Sequence, residues 1–470
     1  MTAPDLLDRF VAIVGARHAL RDPAETGPFV TERRGLWPGA TPLVLRPGSV
    51  AEVSAILKLA SETGTPVVPQ GGNTGLVGGQ VPDMTGSEVV LSLSRLAAIR
   101  EIDTASNAIV AEAGVTLHAL REAADAAGRL FPLSLASQGT AQIGGNLSSN
   151  AGGTGVLAYG NARELCLGVE VVLPTGEVLD DLRKLKKDNT GYDLKNLFIG
   201  AEGTLGVITA AVLKLFPRPK GREVAWVGLR SPEAALSLFS LASERAGASL
   251  TAFELMIGES LVFVLRHVPG AAAPLASAHP WHVLMEISSG RSSEDARGLI
   301  EEILAEGIER GLVGDAVLAA STAQAEALWK LRESMSDAQR HEGASIKHDI
   351  SVPVAAIPDF IAEAWRAVTA LEPRARLVAF GHMGDGNLHY NVSQPVGVEP
   401  ASFLARYREI NDAVHAVVRG FNGSISAEHG IGRMKRDELI ATAPPVAIDL
   451  MRRIKIAFDP AGIMNPNKVI

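Results

Sequence analysis

The spacing of apolar residues predicts short strands that alternate with amphipathic helices along most of the chain. Segment 50–63 has apolar residues at every third or fourth position, a capping residue at Ser49 and a stop signal at Gly64, which together predict one helix. Segment 167–179 predicts instead two strands joined by a turn at 174–176. The pattern therefore indicates a protein that mixes helices and sheets.

A proline-rich segment at 217–221, PRPKG, marks the clearest change in the pattern. After it, strand-like runs alternate with long helical patterns such as 292–306 and 322–340. This alternation predicts a sheet with helices packed on one face. Near the C-terminus, segment 446–458 returns to an amphipathic helical pattern. We therefore expect different domains before and after 217–221.

The composition excludes several broad classes of protein. Of the 470 residues, 47% are hydrophobic and 20% are charged, so the chain can bury a core and is not disordered. A formal net charge of −8 without a basic block argues against binding to nucleic acids or membrane surfaces. The single cysteine, Cys166, excludes an intrachain disulfide and a site with several thiolate ligands. Asp5 and Asp8 stand where a signal peptide would carry positive charge, so we expect a cytoplasmic protein.

Segment 380–392, FGHMGDGNLHYNV, carries the densest group of candidate functional side chains. Asp385–Gly386 is the sequence signal of a two-residue type I′ turn between two strands. In that register His382 lies opposite His389, with Cβ atoms about 5 Å apart, so that both imidazoles can bind one metal ion. Asn391 is expected on the same face as His389. The spacing favours a metal site, and histidines that serve only packing are the alternative.

Segment 423–432, GSISAEHGIG, offers a further ligand and a base. Glu428 and His429 are adjacent there, within a glycine-rich turn that lets the backbone approach a ligand closely. Two histidines and one carboxylate leave an open coordination position, as catalytic zinc sites do. His429 is then available as a base beside a metal-bound group. A purely structural role for this pair stays open, and the ligand set also occurs in non-haem iron oxygenases.

Glycine supplies 47 of the 470 residues and is concentrated in three segments, 69–79, 139–155 and 200–206. Each segment follows a strand-like run, and backbone N–H groups can hold phosphate only where no side chain blocks the approach. Three such segments favour a diphosphate-containing cofactor over three unrelated tight turns. None matches the G-x-G-x-x-G fingerprint or a phosphate-binding P-loop, which argues against a Rossmann NAD domain and a P-loop ATPase.

The sequences PQGGNTGLVGG, SQGTAQIGGNLSSNAGG and GAEGTLGVIT together resemble the FAD-binding half of the vanillyl-alcohol oxidase/p-cresol methylhydroxylase (PCMH) superfamily. GHMGDGNLHYNV and SISAEHGIG resemble its D-2-hydroxyacid dehydrogenase branch, which includes D-lactate dehydrogenase, the glycolate oxidase D subunit and D-2-hydroxyglutarate dehydrogenase. HYNV and AEHGIGRMKRDEL are most similar to the last of these. The resemblance runs from about residue 40 to the C-terminus and so covers most of the chain.

The resemblance implies an α+β fold with a two-lobed PCMH-type FAD-binding domain and a cap domain that has an antiparallel sheet covered by helices. The expected division has four parts. They are an N-terminal helical segment at 1–39, the FAD-binding domain at 40–219, the substrate or cap domain at 220–425, and a C-terminal segment at 426–470 that completes the active site and packs on the FAD-binding domain.

The resemblance also implies roles for individual residues. Those expected to bind FAD are Pro69, Gly71, Gly72, Asn73, Thr74, Gly75, Gly78, Gly79, Ser137, Gly139, Gly144, Gly145, Asn146, Ser149, Glu202, Gly203 and Ile208. Because these loops contain neither His nor Cys, FAD is expected to be non-covalent and Cys166 to be a packed residue. The expected metal ligands are His382, His389 and Glu428, with zinc as the expected metal and manganese or iron as alternatives. His429 is the expected catalytic base, and the expected substrate-binding residues are Arg332, Ser336, Lys347 and Asn391.

The implied reaction is the FAD-dependent, metal-assisted oxidation of a D-2-hydroxy acid to the 2-oxo acid. A hydride would pass from C2 to flavin N5, and the electrons would go on to a separate acceptor such as an electron-transfer flavoprotein or a quinone. Two cations, Arg332 and Lys347, favour a dicarboxylate, so D-2-hydroxyglutarate or D-malate is expected rather than lactate. The alternatives are a D-lactate or glycolate dehydrogenase, a non-haem iron oxygenase and a non-catalytic FAD-binding subunit. Family resemblance also suggests a homodimer.

Overall fold

The structure is a computed structural model that describes residues 3–470; residues 1 and 2 of the predicted N-terminal segment lie outside the described residues. The α-helices, numbered in chain order, are α1 (Ala3–Val14), α2 (Pro23–Val30), α3 (Val50–Thr63), α4 (Leu117–Ala126), α5 (Ile143–Ser148), α6 (Val156–Tyr159), α7 (Lys195–Phe198), α8 (Pro232–Ala246), α9 (Gly258–His267), α10 (Ser293–Glu309), α11 (Thr322–Glu333), α12 (Met335–Ala338), α13 (Ile357–Leu371), α14 (Pro400–Leu404), α15 (Tyr407–Gly420), α16 (Arg436–Thr442) and α17 (Pro445–Phe458). Within residues 3–470, no helix combines the length and the apolar character needed to cross a membrane.

The strands are numbered in the same way. They are β1 (Ala19–Leu20), β2 (Val44–Leu45), β3 (Val67–Gln70), β4 (Val89–Ser92), β5 (Ile99–Asp103), β6 (Ala108–Glu112), β7 (Arg129–Leu130), β8 (Cys166–Val172), β9 (Val178–Asp181), β10 (Val207–Lys214), β11 (Phe216–Pro217), β12 (Gly221–Leu229), β13 (Leu250–Ile257), β14 (Trp281–Ser289), β15 (Asp315–Leu318), β16 (Ser345–Ile346), β17 (Asp349–Ser351), β18 (Arg376–His382) and β19 (Asn387–Ser393).

The chain forms two compact units. The first unit comprises the chain up to Gly152 together with Gly160–Arg218 and Glu428–Ile470. The second unit comprises Gly153–Tyr159 and Pro219–Ala427. Each unit has its own sheets and its own buried apolar core.

The first unit contains two main sheets of different kinds. One has the order β1-β2-β4-β3, in which β2, β4 and β3 run parallel. The other is antiparallel, with the order β5-β6-β10-β8-β9. Cys166 begins β8, and its burial raises the pKa of the thiol to about 12, which confirms that it is a packed residue. This arrangement agrees with the expected two-lobed α+β FAD-binding domain.

The second unit is built on one antiparallel sheet with the order β15-β12-β14-β13-β18-β19-β16, and β17 pairs with β19. Ala225 and Val227 of β12 belong to a core that includes helices α8, α10, α13 and α15. Val224 and Trp226, which alternate with them, belong to a second core with α9 and α11. The prediction of helices on one face is therefore wrong, because the central strands are buried on both faces and lack a polar side.

Several local predictions are confirmed. Helix α3 begins after Ser49, whose hydroxyl accepts a hydrogen bond from the Glu52 N–H, and it ends at Gly64 in the left-handed conformation. Strands β8 and β9 form the predicted hairpin around Gly176, which has φ +87°. The predicted helix at 322–340 is instead interrupted at Ser334, between α11 and α12. Serine is a poor residue for a helix interior, since its hydroxyl competes for backbone hydrogen bonds.

Candidate functional site

The first two glycine-rich segments of the first unit meet through their backbones. A Cβ atom on Gly72 would lie 1.8 Å from the carbonyl oxygen of Thr140, and one on Gly144 would lie 2.7 Å from Cβ of Ala113. No larger residue fits at either position without moving the backbone. Gly72 therefore allows a close approach between the two segments, and Gly144 allows one between the second segment and Ala113. Packing is thus one reason for glycine at two positions that the sequence assigned to cofactor binding.

Space and unsatisfied polar groups lie along the same segments. A Cβ on Gly139 or Gly145 would have no neighbour within 4 Å. Nearby in the chain, Oε1 of Gln142 and Nδ2 of Asn146 are buried and have no hydrogen-bond partner among the described residues. Buried polar atoms are normally satisfied. The donor of Asn146 and the open backbone beside it therefore fit the diphosphate of FAD, whereas the acceptor of Gln142 fits a hydroxyl or N–H group of the cofactor.

The third segment holds the C-terminal part of the chain. Glu202 has φ +51°, and its half-buried carboxylate accepts hydrogen bonds from the N–H groups of Ile431 (2.7 Å) and Gly432 (2.9 Å). Burial raises the pKa of Glu202 to about 7, although these two hydrogen bonds oppose the shift. The adjacent Gly203 packs against the ring of Pro69. The carboxylate of Glu202 thus fixes the segment that follows Glu428 and His429.

The other predicted flavin residues lie on the same segments of the first unit, and their contacts with FAD stay predictions. Asn73 has φ +53°, and its Nδ2 donates to the carbonyl oxygens of Pro28 and Thr31. Ser149 donates from Oγ to the Gly145 carbonyl, and Ile208 is buried in β10. The remaining positions lie in the loop after β3 or in the loop before α5: Gly71, Thr74, Gly75, Gly78, Gly79 and Ser137.

In the second unit, the turn between β18 and β19 differs from the predicted two-residue turn. Met383–Asp385 forms a short 3₁₀ turn, Gly386 closes it with φ +87°, and Phe380 rather than His382 pairs with His389. The prediction of the turn is therefore wrong by two positions. Because side chains alternate with a period of two, this shift keeps both histidines on one face. Their rings lie 5.8 Å apart between centroids, at an angle of 78°.

His382 pairs with Glu254 of β13 instead. Nδ1 of His382 lies 2.7 Å from Oε1 of Glu254. Oε2 of the same carboxylate accepts from Nε of Arg332 at 2.9 Å and lies 2.7 Å from its Nη2. Burial alone would raise the pKa of Glu254, but the charges of His382 and Arg332 lower it to about 2. One buried carboxylate therefore joins a predicted metal ligand to a predicted substrate-binding residue.

His389 has an acidic neighbour on the adjacent strand. Asp349 of β17 pairs with it, and the Asp349 carboxylate lies 3.9 Å from Nδ1 of His389. Phe380 contacts both His389 and Arg332. The centre of its ring is 5.2 Å from that of His389 and 4.9 Å from the guanidinium carbon of Arg332. We call Glu254, Arg332, His382, His389 and Asp349 the polar cluster. Imidazole and carboxylate donors of this kind suit Zn²⁺, Mn²⁺ and Fe²⁺.

The other predicted substrate-binding residues also lie in the second unit. The ammonium of Lys347 lies 3.4 Å from Oγ of Ser336, so these two residues are neighbours. Nδ2 of Asn391, on β19, donates to Oε1 of Gln339 at 3.0 Å. Arg332 is nearly fully buried, whereas Ser336 is exposed. Their roles toward a substrate stay predictions.

Glu428 and His429 belong to the first unit. Nε2 of His429 lies 3.9 Å from Oε1 of Glu428, and both side chains are half-buried. The following Gly430 has φ +85°, and a Cβ there would lie 2.7 Å from Glu202 Oε1. Glycine at 430 thus allows Glu202 to hold this turn. The assignments of Glu428 as a ligand and of His429 as a base stay predictions.

Sequence reasoning missed Glu254, and it left Asp349 unassigned. The signal for Glu254 was a single acidic residue within the apolar strand TAFELMI, since an isolated carboxylate is rarely buried without a partner. Nothing in the local sequence showed which partner that would be. Arg332 and His382 are 78 and 128 residues away from Glu254 in the chain.

Comparison with known families identifies the two parts of the chain. Residues 41–181 match the family model described as an FAD-binding domain, and residues 218–469 match the model described as the C-terminal domain of FAD-linked oxidases. The chain belongs to the FAD-linked oxidase family. It is accordingly an FAD-dependent oxidoreductase, and the unsatisfied polar atoms beside α5 lie within the matched FAD-binding part.

Similar proteins support the same family. A D-2-hydroxyglutarate dehydrogenase of Xanthomonas citri pathovar viticola is 37% identical over 469 residues, which is 100% of this chain and 97% of that protein. A putative mitochondrial D-lactate dehydrogenase of Schizosaccharomyces pombe is 37% identical over 462 residues, which is 96% of this chain and 85% of that protein.

Among solved structures, p-cresol methylhydroxylase with bound substrate matches with a TM-score of 0.77. It is 16% identical, and the match covers 99% of this chain and 96% of that one. At this identity the likeness concerns the fold alone. It agrees with the expected PCMH-type architecture.

Proposed function

We propose that the protein oxidises a D-2-hydroxy dicarboxylate, D-2-hydroxyglutarate or D-malate, to the 2-oxo acid and passes the electrons to a separate acceptor. The observation that carries the proposal is the polar cluster of the second unit. It combines two imidazoles 5.8 Å apart with a buried guanidinium, which are suitable partners for a hydroxyl group and a carboxylate. The similarity to a D-2-hydroxyglutarate dehydrogenase over the full chain supports the same substrate class.

The chain supplies binding and positioning for FAD, which provides the oxidant, an acceptor of a hydride from the carbinol carbon. The residues that would hold FAD are those of the three glycine-rich segments, with Gln142 and Asn146 as the polar groups that lack a protein partner. The same loops contain no His or Cys, which supports non-covalent binding.

Glu428 and His429 supply the remaining groups of the proposed chemistry. His382, His389 and Glu428 would hold a divalent metal, with zinc proposed first, which would supply Lewis-acid activation of the 2-hydroxyl. His429 then accepts the hydroxyl proton, because an imidazole exchanges protons near neutral pH. This role needs the neutral form of the His429 imidazole.

The preference for a dicarboxylate rests on two cations. Arg332 presents a planar guanidinium that Glu254 holds in place, and Lys347 offers an ammonium beside Ser336. A monocarboxylate would leave one of these cations without an anionic partner from the substrate. We therefore propose that Arg332 and Lys347, together with Ser336 and Asn391, bind the two carboxylates.

The test is substrate preference, measured as kcat/KM with an artificial electron acceptor. D-2-hydroxyglutarate is expected to exceed D-lactate, and both Lys347→Ala and Arg332→Lys are expected to lower this ratio about tenfold or more, since a charge-assisted hydrogen bond contributes about 1.5–3 kcal/mol. Lysine is used at position 332 because an uncharged residue would leave the buried carboxylate of Glu254 without a positive partner. The exposed Lys186→Ala serves as the control and should leave the ratio unchanged. A ratio that favours lactate, or that neither variant alters, would contradict the proposal.

A second candidate is a D-lactate or glycolate dehydrogenase that uses the same residues. It is favoured by the similarity to the putative D-lactate dehydrogenase of S. pombe. The same kinetic comparison separates the two candidates, because only the dicarboxylate enzyme loses discrimination when Lys347 is replaced. A non-haem iron oxygenase would leave the match of residues 41–181 to an FAD-binding domain unexplained.

A further inference from the structure

Glu254 occupies a central position in the sheet of the second unit. Strand β13 lies between β14 and β18, and Glu254 is paired with Leu284 on one side and with His382 on the other. Its side chain is 1% exposed, so it has no access to water. A carboxylate at such a position is unfavourable unless protein groups replace the lost hydration.

Both oxygens of Glu254 have such partners, and the partners differ. Oε2 faces the guanidinium of Arg332, with 2.9 Å to Nε and 2.7 Å to Nη2. Oε1 faces the imidazole of His382, with 2.7 Å to Nδ1. The guanidinium balances the charge, while the imidazole satisfies the second oxygen. The two side chains are thus held at a fixed separation by a single residue.

The contact with His382 also selects a tautomer. An ionised carboxylate can only accept hydrogen bonds, so Nδ1 must carry the hydrogen. In the neutral ring the lone pair is then on Nε2, and this is the nitrogen through which the ring would bind a metal ion. Histidine ligands in proteins commonly donate their other N–H to a carboxylate, which fixes the ring and increases its basicity.

We propose that Glu254 is a positioning residue that sets His382 for metal binding and Arg332 for carboxylate binding at the same time. The proposal rests on the proposed function, because it takes the roles of His382 and Arg332 from it. It goes beyond that function in assigning one cause to two properties, metal affinity and the preference for dicarboxylates. Glu254 itself touches neither substrate nor metal.

The same sheet provides a matched control. Glu286 of β14 is also a buried carboxylate with an arginine partner, since its Oε2 lies 2.6 Å from Nη2 of Arg222. Oε2 also accepts from Nε1 of Trp329 at 2.9 Å, and Oε1 accepts from the hydroxyl of Thr251 at 2.8 Å. None of these partners is a predicted site residue. A merely structural carboxylate should therefore behave like Glu286.

The experiment compares Glu254→Gln with Glu286→Gln in the FAD-loaded protein. Each protein is stripped with a chelator and titrated with Zn²⁺ against a chromophoric competitor, and its thermal midpoint is recorded. Glu254→Gln is expected to weaken Zn²⁺ binding by about 10–100-fold, the usual effect of losing such a partner. It should also lower the ratio of kcat/KM for D-2-hydroxyglutarate over D-lactate. Glu286→Gln is expected to change the thermal midpoint alone.

Two further variants keep the test decisive. Glu254→Asp retains the negative charge beside Arg332, so this variant should fold even if Glu254→Gln does not. Its side chain is one methylene shorter and no longer reaches His382 in the same way, so the variant should still bind Zn²⁺ less tightly than the wild type. In the His382→Ala background, Glu254→Gln should add no further loss of Zn²⁺ affinity, because its effect passes through that imidazole. A full additive loss, or unchanged affinity in both Glu254 variants, would overturn the proposal.

These outcomes differ from a failure of the proposed function. If the wild-type protein neither binds Zn²⁺ nor oxidises any 2-hydroxy acid, the proposed function itself is wrong. If the wild type does both, and Glu254→Gln and Glu254→Asp match it in Zn²⁺ affinity and substrate ratio, only the role of Glu254 is refuted.

Discussion

The glycine-rich segments of the first unit and the polar cluster of the second unit are built in opposite ways. In the glycine-rich segments, backbone approaches backbone because side chains are missing, as at Gly72 against Thr140. In the polar cluster, long side chains meet across four strands and a helix, with Glu254 between Arg332 and His382. The first arrangement is fixed by short runs of sequence, whereas the second depends on residues that only the fold brings together.

This difference sets how each region should respond to substitution. Adding a single methyl group should damage a loop whose function depends on backbone approach. The polar cluster should tolerate changes of volume better than loss of one charge or one nitrogen, because each group in it has a specific partner. The predictions below test this contrast, from the largest expected effect to the smallest.

The largest effect is expected for His382→Ala. Without this imidazole the cluster loses a ligand and the group that Glu254 holds, so metal content and turnover should both fall, the latter about 1,000-fold. Metal analysis and steady-state kinetics measure the two losses. FAD absorbance should stay at the wild-type level, and the exposed His118→Ala should change neither quantity. Wild-type turnover in a metal-free His382→Ala protein would contradict the role of the metal.

Among substitutions that add a single methyl group in the glycine-rich segments, Gly72→Ala should be the most damaging. Its methyl group would lie 1.8 Å from the Thr140 carbonyl oxygen, so the two segments must separate. We expect a loss of about 1–3 kcal/mol in the free energy of unfolding and weaker FAD binding. In contrast, Gly298→Ala in the middle of α10 meets no atom within 4 Å and should stabilise by about 0.5–1 kcal/mol. Equal effects of the two substitutions would refute backbone approach as the reason for Gly72.

A smaller and pH-dependent effect is expected at His282, outside the polar cluster. Burial, and then the nearby His279, lowers its pKa to about 4, and its Nδ1 accepts a hydrogen bond from Nε1 of Trp226. The pKa of His282 in the folded protein lies below the ordinary value of 6.5. Its contribution to the free energy of unfolding is therefore complete above pH 6.5 and is lost as the pH falls toward 4.

Urea unfolding at several pH values between 7.5 and 4 measures this dependence. His282→Gln keeps an acceptor for Trp226 but does not titrate, so its unfolding free energy should fall less over the same range. Identical pH profiles for the wild type and His282→Gln would show that other groups cause the acid sensitivity.

The contrast between the two regions also explains what the sequence could predict. Helix α3 was predictable to the residue because Ser49, Gly64 and the apolar spacing are local signals. The shared face of His382 and His389 was predicted correctly from a wrong turn, because a shift of two residues preserves the face of a strand. The network around Glu254 could not be predicted, since its members are far apart in the chain and no local pattern pairs them.

The helices on the second face of the sheet were missed for a related reason. Residues 224–229 of β12, VAWVGL, contain no polar side chain, so their pattern does not distinguish one covered face from two. Only the assembled sheet shows that α9 and α11 pack against the face that α8 and α10 leave open.

The central claim is that this FAD-dependent oxidoreductase takes a hydride from a D-2-hydroxy dicarboxylate. The most direct test is the visible absorption of the purified, Zn²⁺-loaded protein under anaerobic conditions, before and after addition of D-2-hydroxyglutarate. The account predicts a flavin band that bleaches rapidly with D-2-hydroxyglutarate and more slowly with D-lactate. A flavin band that persists with D-2-hydroxyglutarate but bleaches with D-lactate or glycolate would contradict the claim.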